Sequence, residues 1–190
     1  MGARVGETHS IGFVNGADCL RKHIEAEISQ GCSIICDRYT YSGMVYSAAK
    51  MNPLLSLEWA RNPDVSLPRP DVVVFLDLHP DDAVKRGGYG NEAYEKRDFQ
   101  EIVRAIFKFL KESGQEESED MVVIDAGESV EEVSKKIIET VRMTLVAVER
   151  GEMGKDIRRI KEWPYENLAL KIGQLEDELR QAVEKRGREK

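Results

Sequence analysis

Three short apolar runs, each closing on an aspartate, constrain this chain most: Ser33-Ile34-Ile35-Cys36-Asp37, Val72-Val73-Val74-Phe75-Leu76-Asp77 and Met121-Val122-Val123-Ile124-Asp125. None alternates apolar with polar, so each reads as a strand covered on both faces, the habit of parallel sheets. Helical patterns separate them. From Ala17 the residues Leu20, Ile24 and Ile28 fall four apart on one helical face, and Gln30-Gly31 supplies the stop. Further helical segments are predicted around 42–61 and 94–113. Pro80-Asp81-Asp82 opens another helix with proline and acid in its first turn. Ser129 with Glu132 forms a capping-box signature for a helix that follows the third run. Strands alternating with helices require crossover connections, hence a parallel α/β sheet. Three strands are few for such a sheet.

The 190 residues suit one domain with a short appendage, and 41% hydrophobic residues are enough for a core. The 28 basic and 35 acidic residues leave a net charge of −7, which argues against coating nucleic acid or an anionic membrane. Cys19, Cys32 and Cys36 show no zinc spacing and read as reduced, buried thiols. No apolar stretch approaches the ~20 residues that span a bilayer, and Met-Gly-Ala-Arg-Val-Gly-Glu lacks the apolar segment of a signal peptide. A soluble, intracellular chain is expected. Past residue 150 the pattern changes: residues 155–163 read as a charged helix that Trp163-Pro164 interrupts. Leu168, Ile172, Leu175 and Leu179 then follow a heptad rhythm, which serves either a coiled coil or packing back on the domain. The expected organisation is a domain over 1–150 and a helical, charged extension over 151–190, ending in a solvated tail.

In open α/β sheets ligands gather beyond the carboxyl ends of the strands, where all three aspartates stand. For Asp77 and Asp125 the plain reading is a cap on the next loop or helix. Asp37 differs because Arg38 and Tyr39 follow it directly. An apolar run closing on an acid is the shape of a Walker-B strand, whose carboxylate reaches Mg²⁺ directly or through water. An adjacent arginine can fork onto two phosphate oxygens. Lys85-Arg86-Gly87-Gly88-Tyr89-Gly90 reads either as a phosphate-covering lid or as an ordinary helix stop with terminal cations. Tyr39, Tyr41, Tyr46 and Ser42 either hold a nucleobase or form a helix core with an exposed ring or two.

The segment Asp37-Arg38-Tyr39-Thr40-Tyr41-Ser42-Gly43-Met44-Val45-Tyr46 resembles the thymidylate kinase signature, Asp-Arg-Tyr-x-x-Ser-Gly-x-x-Tyr/Phe. The likeness continues through Leu57-Glu58-Trp59, the stretch Pro63 to Asp71, Val74-Phe75-Leu76, Lys85-Arg86-Gly87, Tyr94-Glu95, Phe99-Gln100 and Asp125-Ala126. It covers residues 20–140 and is most similar to the eukaryotic branch. The resemblance implies a P-loop-kinase-like α/β fold and an enzyme of dTDP biosynthesis that moves the γ-phosphoryl of ATP to dTMP with Mg²⁺. It implies dTMP and ATP as partners, no nucleic acid or membrane, a homodimer, and a cytoplasmic or nuclear location. Carried onto this chain, Asp37 and Arg38 would be the catalytic pair, Asp37 serving the metal directly or through water and Arg38 gripping the dTMP phosphate. Tyr39 would lie against the deoxyribose, Ser42 and Tyr46 would border thymine, and Tyr94 with Gln100 would flank the nucleoside. Phe13 would stack on the base, although the arginine expected near it corresponds to Ala17. Arg86, Gly87 and Gly88 would form the lid on the ATP side.

The chain departs from the family upstream. A phosphate loop of the form Gly-x-x-x-x-Gly-Lys-Ser/Thr does not occur in residues 1–36, where Gly2, Gly6, Gly12 and Gly16 lack the Lys-Ser/Thr that should follow. The three strands correspond to the family's third, fourth and fifth, so the expected sheet is incomplete, three strands of the usual five. The expectation is a partial or inactive dTMP kinase, either truncated at its N-terminus or degenerate. Two alternatives stand beside it: a non-catalytic pseudoenzyme or dimerisation partner, and a deoxynucleoside kinase relative.

Overall fold

The computed structural model describes residues 17–52, 54–85 and 97–188. The elements run α1 (Ala17–Ser29), α2 (Thr40–Ala48), α3 (Leu57–Arg61), β1 (Val73–Asp77), α4 (Pro80–Lys85), α5 (Arg97–Glu112), α6 (Glu116–Asp120), β2 (Met121–Asp125), α7 (Val130–Glu149) and α8 (Tyr165–Arg188). Local chemistry accounts for most of their ends. Gly31 takes φ +81° after α1. Its amide bonds the Ile28 carbonyl while the Cys32 amide reaches Glu27, the paired closure that a left-handed glycine permits. Ser56 caps α3 by accepting the Trp59 amide at 3.1 Å. Ser129 caps α7 with the reciprocal Glu132 box.

β1 and β2 form a parallel pair in the register Val73↔Met121 through Asp77↔Asp125. The Ala126 amide extends the ladder by bonding the Asp77 carbonyl. Helices on either side of a parallel pair confirm the α/β expectation. The strand count differs. Among the described residues the sheet has two strands, and the first apolar run carries only a single bridge position, at Ile35, which is 60% exposed. Among the described residues no adjacent strand gives this run the ladder hydrogen bonds that would make it a strand. The predicted helix over 42–61 is likewise two helices, because α2 ends at Ala48 and Met51 takes φ +53°.

The core lies between α2, α3, α5 and the face of the sheet that carries Phe75 and Met121. α2 contributes Tyr41, Met44, Val45 and Ala48, and α5 contributes Ile102, Val103, Ile106, Phe107 and Leu110. Both sets recur at helical spacing, so each helix buries one stripe. Phe75 stacks on Phe107 with ring centroids 4.3 Å apart. Residues beyond 150 enter the same cluster through Ile160, Trp163, Leu168 and Ile172, with Leu175 and Leu179 packed against it. The heptad helix therefore packs back on the domain, and Glu176 of α8 accepts the Leu57 amide at the start of α3. Residues 155–163 are not the predicted helix. Their middle pairs antiparallel with residues 66–69, and those backbone hydrogen bonds compete with a helical ladder. Cys32 and Cys36 are free thiols as predicted but half-buried, and burial pushes the Cys36 thiol up.

Candidate nucleotide site

The segment after the first apolar run turns sharply into α2. Arg38 takes φ +65°, the left-handed region that non-glycine residues rarely adopt. That turn leaves Asp37 and Arg38 exposed at the mouth of α2. The Arg38 guanidinium lies 5.0 Å from the centre of the Tyr46 ring, a cation–π contact that spans two turns of α2. Tyr46 meets Phe99 at the start of α5, with centroids 5.8 Å apart and rings tilted by 58°. Gln100 follows Phe99, and Ser42 stands one turn before Tyr46 on α2. Tyr39 is held otherwise: its hydroxyl donates to the Pro68 carbonyl at 3.1 Å, and burial pushes its phenol well above the ordinary range. Arg38, Tyr46 and the first turn of α5 are thus brought together. Phe13, Arg86, Gly87, Gly88, Tyr94 and Glu95 lie outside the described residues.

A second region lies at the carboxyl ends of both strands, an open cleft of about 660 Å³ lined by Asp77, His79, Asp82, Arg104, Asp125 and Gly127 among others. Both strand-end acids have local partners there. Arg104 clasps both oxygens of Asp77, through Nε and through Nη2 at 2.9 Å. Asp125 accepts the Gly127 amide at 2.8 Å and so closes the turn into α7. That is the capping reading for Asp125, while Asp77 is an ion-paired acid. The two regions are joined by α5, on which Gln100 and Arg104 are successive positions of one face, about 6 Å apart along the axis.

Sequence reasoning missed Phe99 as a partner of Tyr46, and missed the acid–arginine network behind Tyr41. Asp120 accepts the Tyr41 hydroxyl at 2.7 Å and is forked by Arg69 at 2.8 Å to each oxygen. Burial and the Asp120 hydrogen bond hold Tyr41 protonated, and Asp120 holds Arg69 charged. Glu117, fully buried, accepts from Arg61 at 2.6 Å and from the Trp163 indole at 3.1 Å. The only signal in the sequence was the acidic run Glu116-Glu117-Ser118-Glu119-Asp120, which reads equally well as a solvated turn.

The architecture is that of a known class. The solved structure of thymidylate kinase from Candida albicans matches with a TM-score of 0.61 at 27% identity, covering 76% of this chain and 68% of that one. This places the chain among α/β proteins of the P-loop-kinase fold. A thymidylate kinase family model matches residues 8–137. Relatives include the thymidylate kinases of Danio rerio, 45% identical over 60% of this chain, and Schizosaccharomyces pombe, 42% identical over 63%. That of Homo sapiens is 40% identical over 69%. The chain belongs to the thymidylate kinase family. It spans 51%, 56% and 60% of the lengths of those three relatives.

Proposed function

We propose that this chain binds dTMP through the loop and helix over residues 37–46 and carries the acceptor-nucleotide half of a dTMP kinase, the enzyme that passes the γ-phosphoryl of ATP to dTMP. The observation that supports the reading most is the placement of Arg38 beside the Tyr46–Phe99 pair. A guanidinium forks onto phosphate oxygens, and two rings a few ångströms away offer a face for a base. Ser42 and Gln100 add hydrogen-bonding groups on the same two helices. Phosphoryl transfer is mostly positioning and charge stabilisation, so a fixed arginine on the acceptor phosphate is a direct contribution. Mg²⁺ enters with ATP as part of the substrate. The carboxylate proposed to meet it, directly or through water, is the exposed Asp37. Arg86, Gly87 and Gly88 are proposed to cover the ATP phosphates, with Tyr94 and Phe13 on the nucleoside. The protein is proposed to work as a homodimer.

The 190 residues hold no Gly-x-x-x-x-Gly-Lys-Ser/Thr segment, whose amides and lysine cradle the donor phosphates. Binding of dTMP without turnover is therefore the expected behaviour of this chain alone, and the same observation favours a second reading, a nucleotide-binding relative without catalysis. Titration calorimetry with dTMP, followed by a coupled ADP-release assay with ATP and dTMP, separates the readings. Absence of dTMP binding removes the acceptor-site assignment, and robust turnover shows that this chain houses the donor half too.

A further inference from the structure

We infer that Arg158, far along the chain, positions the nucleotide-binding loop, so that the C-terminal extended segment takes part in recognising the acceptor nucleotide. The inference rests on the reading of Arg38 and Tyr39 as nucleotide-binding residues. Arg158 to Ile160 lie antiparallel to Ser66 to Arg69: the Ser66 amide bonds the Ile160 carbonyl at 2.9 Å, the Ile160 amide bonds Leu67 at 3.0 Å, and the Arg69 amide bonds Arg158 at 2.8 Å. Pro68, at the centre of that pairing, has no amide to give, and its carbonyl accepts the Tyr39 hydroxyl at 3.1 Å. The C-terminal segment thus fixes the acceptor that fixes Tyr39.

A second tie runs through Asp120. Its Oδ2 accepts the Tyr41 hydroxyl at 2.7 Å, while Oδ1 accepts from Arg69 at 2.8 Å and from Arg158 Nη1 at 3.3 Å. The other arm of Arg158 donates to the Pro70 carbonyl at 2.6 Å. Tyr39 follows Arg38 directly, and Tyr39 and Tyr41 flank Thr40, the first residue of α2. Arg38 sits in a backbone conformation that a free loop would leave, so its geometry persists only where neighbours over-determine it. Its guanidinium lies over Tyr46, and the two tyrosines after it are held from behind, Tyr39 by the Pro68 carbonyl and Tyr41 through Asp120, which Arg69 and Arg158 share. Loss of Arg158 leaves Asp120 still forked by Arg69, so the buried charge stays compensated and the fold holds while the tyrosine tie loosens.

The test uses the full chain with Arg158→Ala, Arg158→Lys and Arg158→Ala combined with Tyr41→Phe. In Arg158→Ala the amides of Ser42 and Gly43, which bond the Tyr39 carbonyl at 3.1 and 3.2 Å, should exchange about tenfold faster, while buried α5 amides change less than about twofold. The dTMP dissociation constant should rise roughly fivefold to tenfold, fall back in part with lysine, and rise in the double variant by less than the product of the single effects. Unaltered exchange at residues 42–43, or equal acceleration throughout α5, overturns the inference, the latter by making Arg158 a general structural residue. A wild-type chain that takes up no dTMP refutes the nucleotide reading instead, and the exchange result alone then decides whether Arg158 positions the loop.

Discussion

On the proposed reading Arg38 joins a left-handed backbone and the phosphate grip in one residue. Replacing it by alanine removes the guanidinium, and one charge-assisted phosphate grip is worth about 2 kcal/mol, or ~30-fold in the dTMP dissociation constant. Replacing it by glycine removes the same group but suits φ +65°. The glycine variant should match alanine in lost affinity yet be more stable by about 1 kcal/mol in denaturant titration. Equal stabilities would mean that the turn is not left-handed. Asp64 gives a second residue-scale test. Burial pushes its carboxyl up to about 6, against a smaller opposing pull from Arg61. A carboxyl raised in the folded state adds stability that is complete below the unfolded value of 3.8 and is lost as pH rises through about 6. Asp64→Asn, which stays neutral, should therefore gain on the wild type between pH 4 and pH 7, read as the difference in unfolding free energy at each pH. A constant difference across that window would place Asp64 in water.

At the scale of elements, the segment after residue 150 is part of the core and more than an appendage. Trp163 is buried, gives its indole hydrogen to Glu117 and takes the Arg61 guanidinium 4.7 Å above its ring. Trp163→Ala removes a large buried ring and leaves Glu117 with one donor fewer, so a loss of about 3–5 kcal/mol is expected. Trp163→Phe keeps most of the volume and should cost less, the remainder reporting the hydrogen bond. Leu110, at 0% exposure on α5, should cost about 2–5 kcal/mol as alanine. A chain ending before residue 155 exposes the partners of Ile160, Trp163, Leu168 and Ile172, and should lose its cooperative thermal transition.

Across the whole molecule the apolar surface is unevenly covered. None of the residues of α7 is buried, and Ile138, Met143, Leu145 and Val148 stand exposed on it. Leu76, Val122 and Val123 are exposed on the sheet as well. A 20-residue helix with so little cover, beside a ladder that has two strands among the described residues, is a surface suited to a partner. Self-association that grows with concentration is expected in sedimentation velocity. Ile138→Lys with Met143→Lys should reduce it without lowering the thermal midpoint, because neither side chain is packed. A monomeric wild type at all concentrations would contradict this. No helix among the described residues is long and apolar enough to cross a membrane.

What the amino-acid order settled by itself is the local grammar: α1 stopping at Gly31, proline and acid opening α4, the Ser129–Glu132 cap, and two apolar runs pairing in parallel. Those signals are carried by residues within a few positions of each other, where propensity and backbone geometry decide. The signature from Asp37 to Tyr46 was legible for the same reason, being contiguous. Tertiary structure alone decided that Ile35 keeps a single bridge position, that residues 158–160 run extended, and that the heptad helix packs on α3 and α5. It also decided the network in which Asp120 joins Tyr41, Arg69 and Arg158 across separations of 79, 51 and 38 residues. Each of those polar side chains reads as solvated on its own. Only closing the loops between them removes most of the water and turns single weak signals into a largely buried, hydrogen-bonded set.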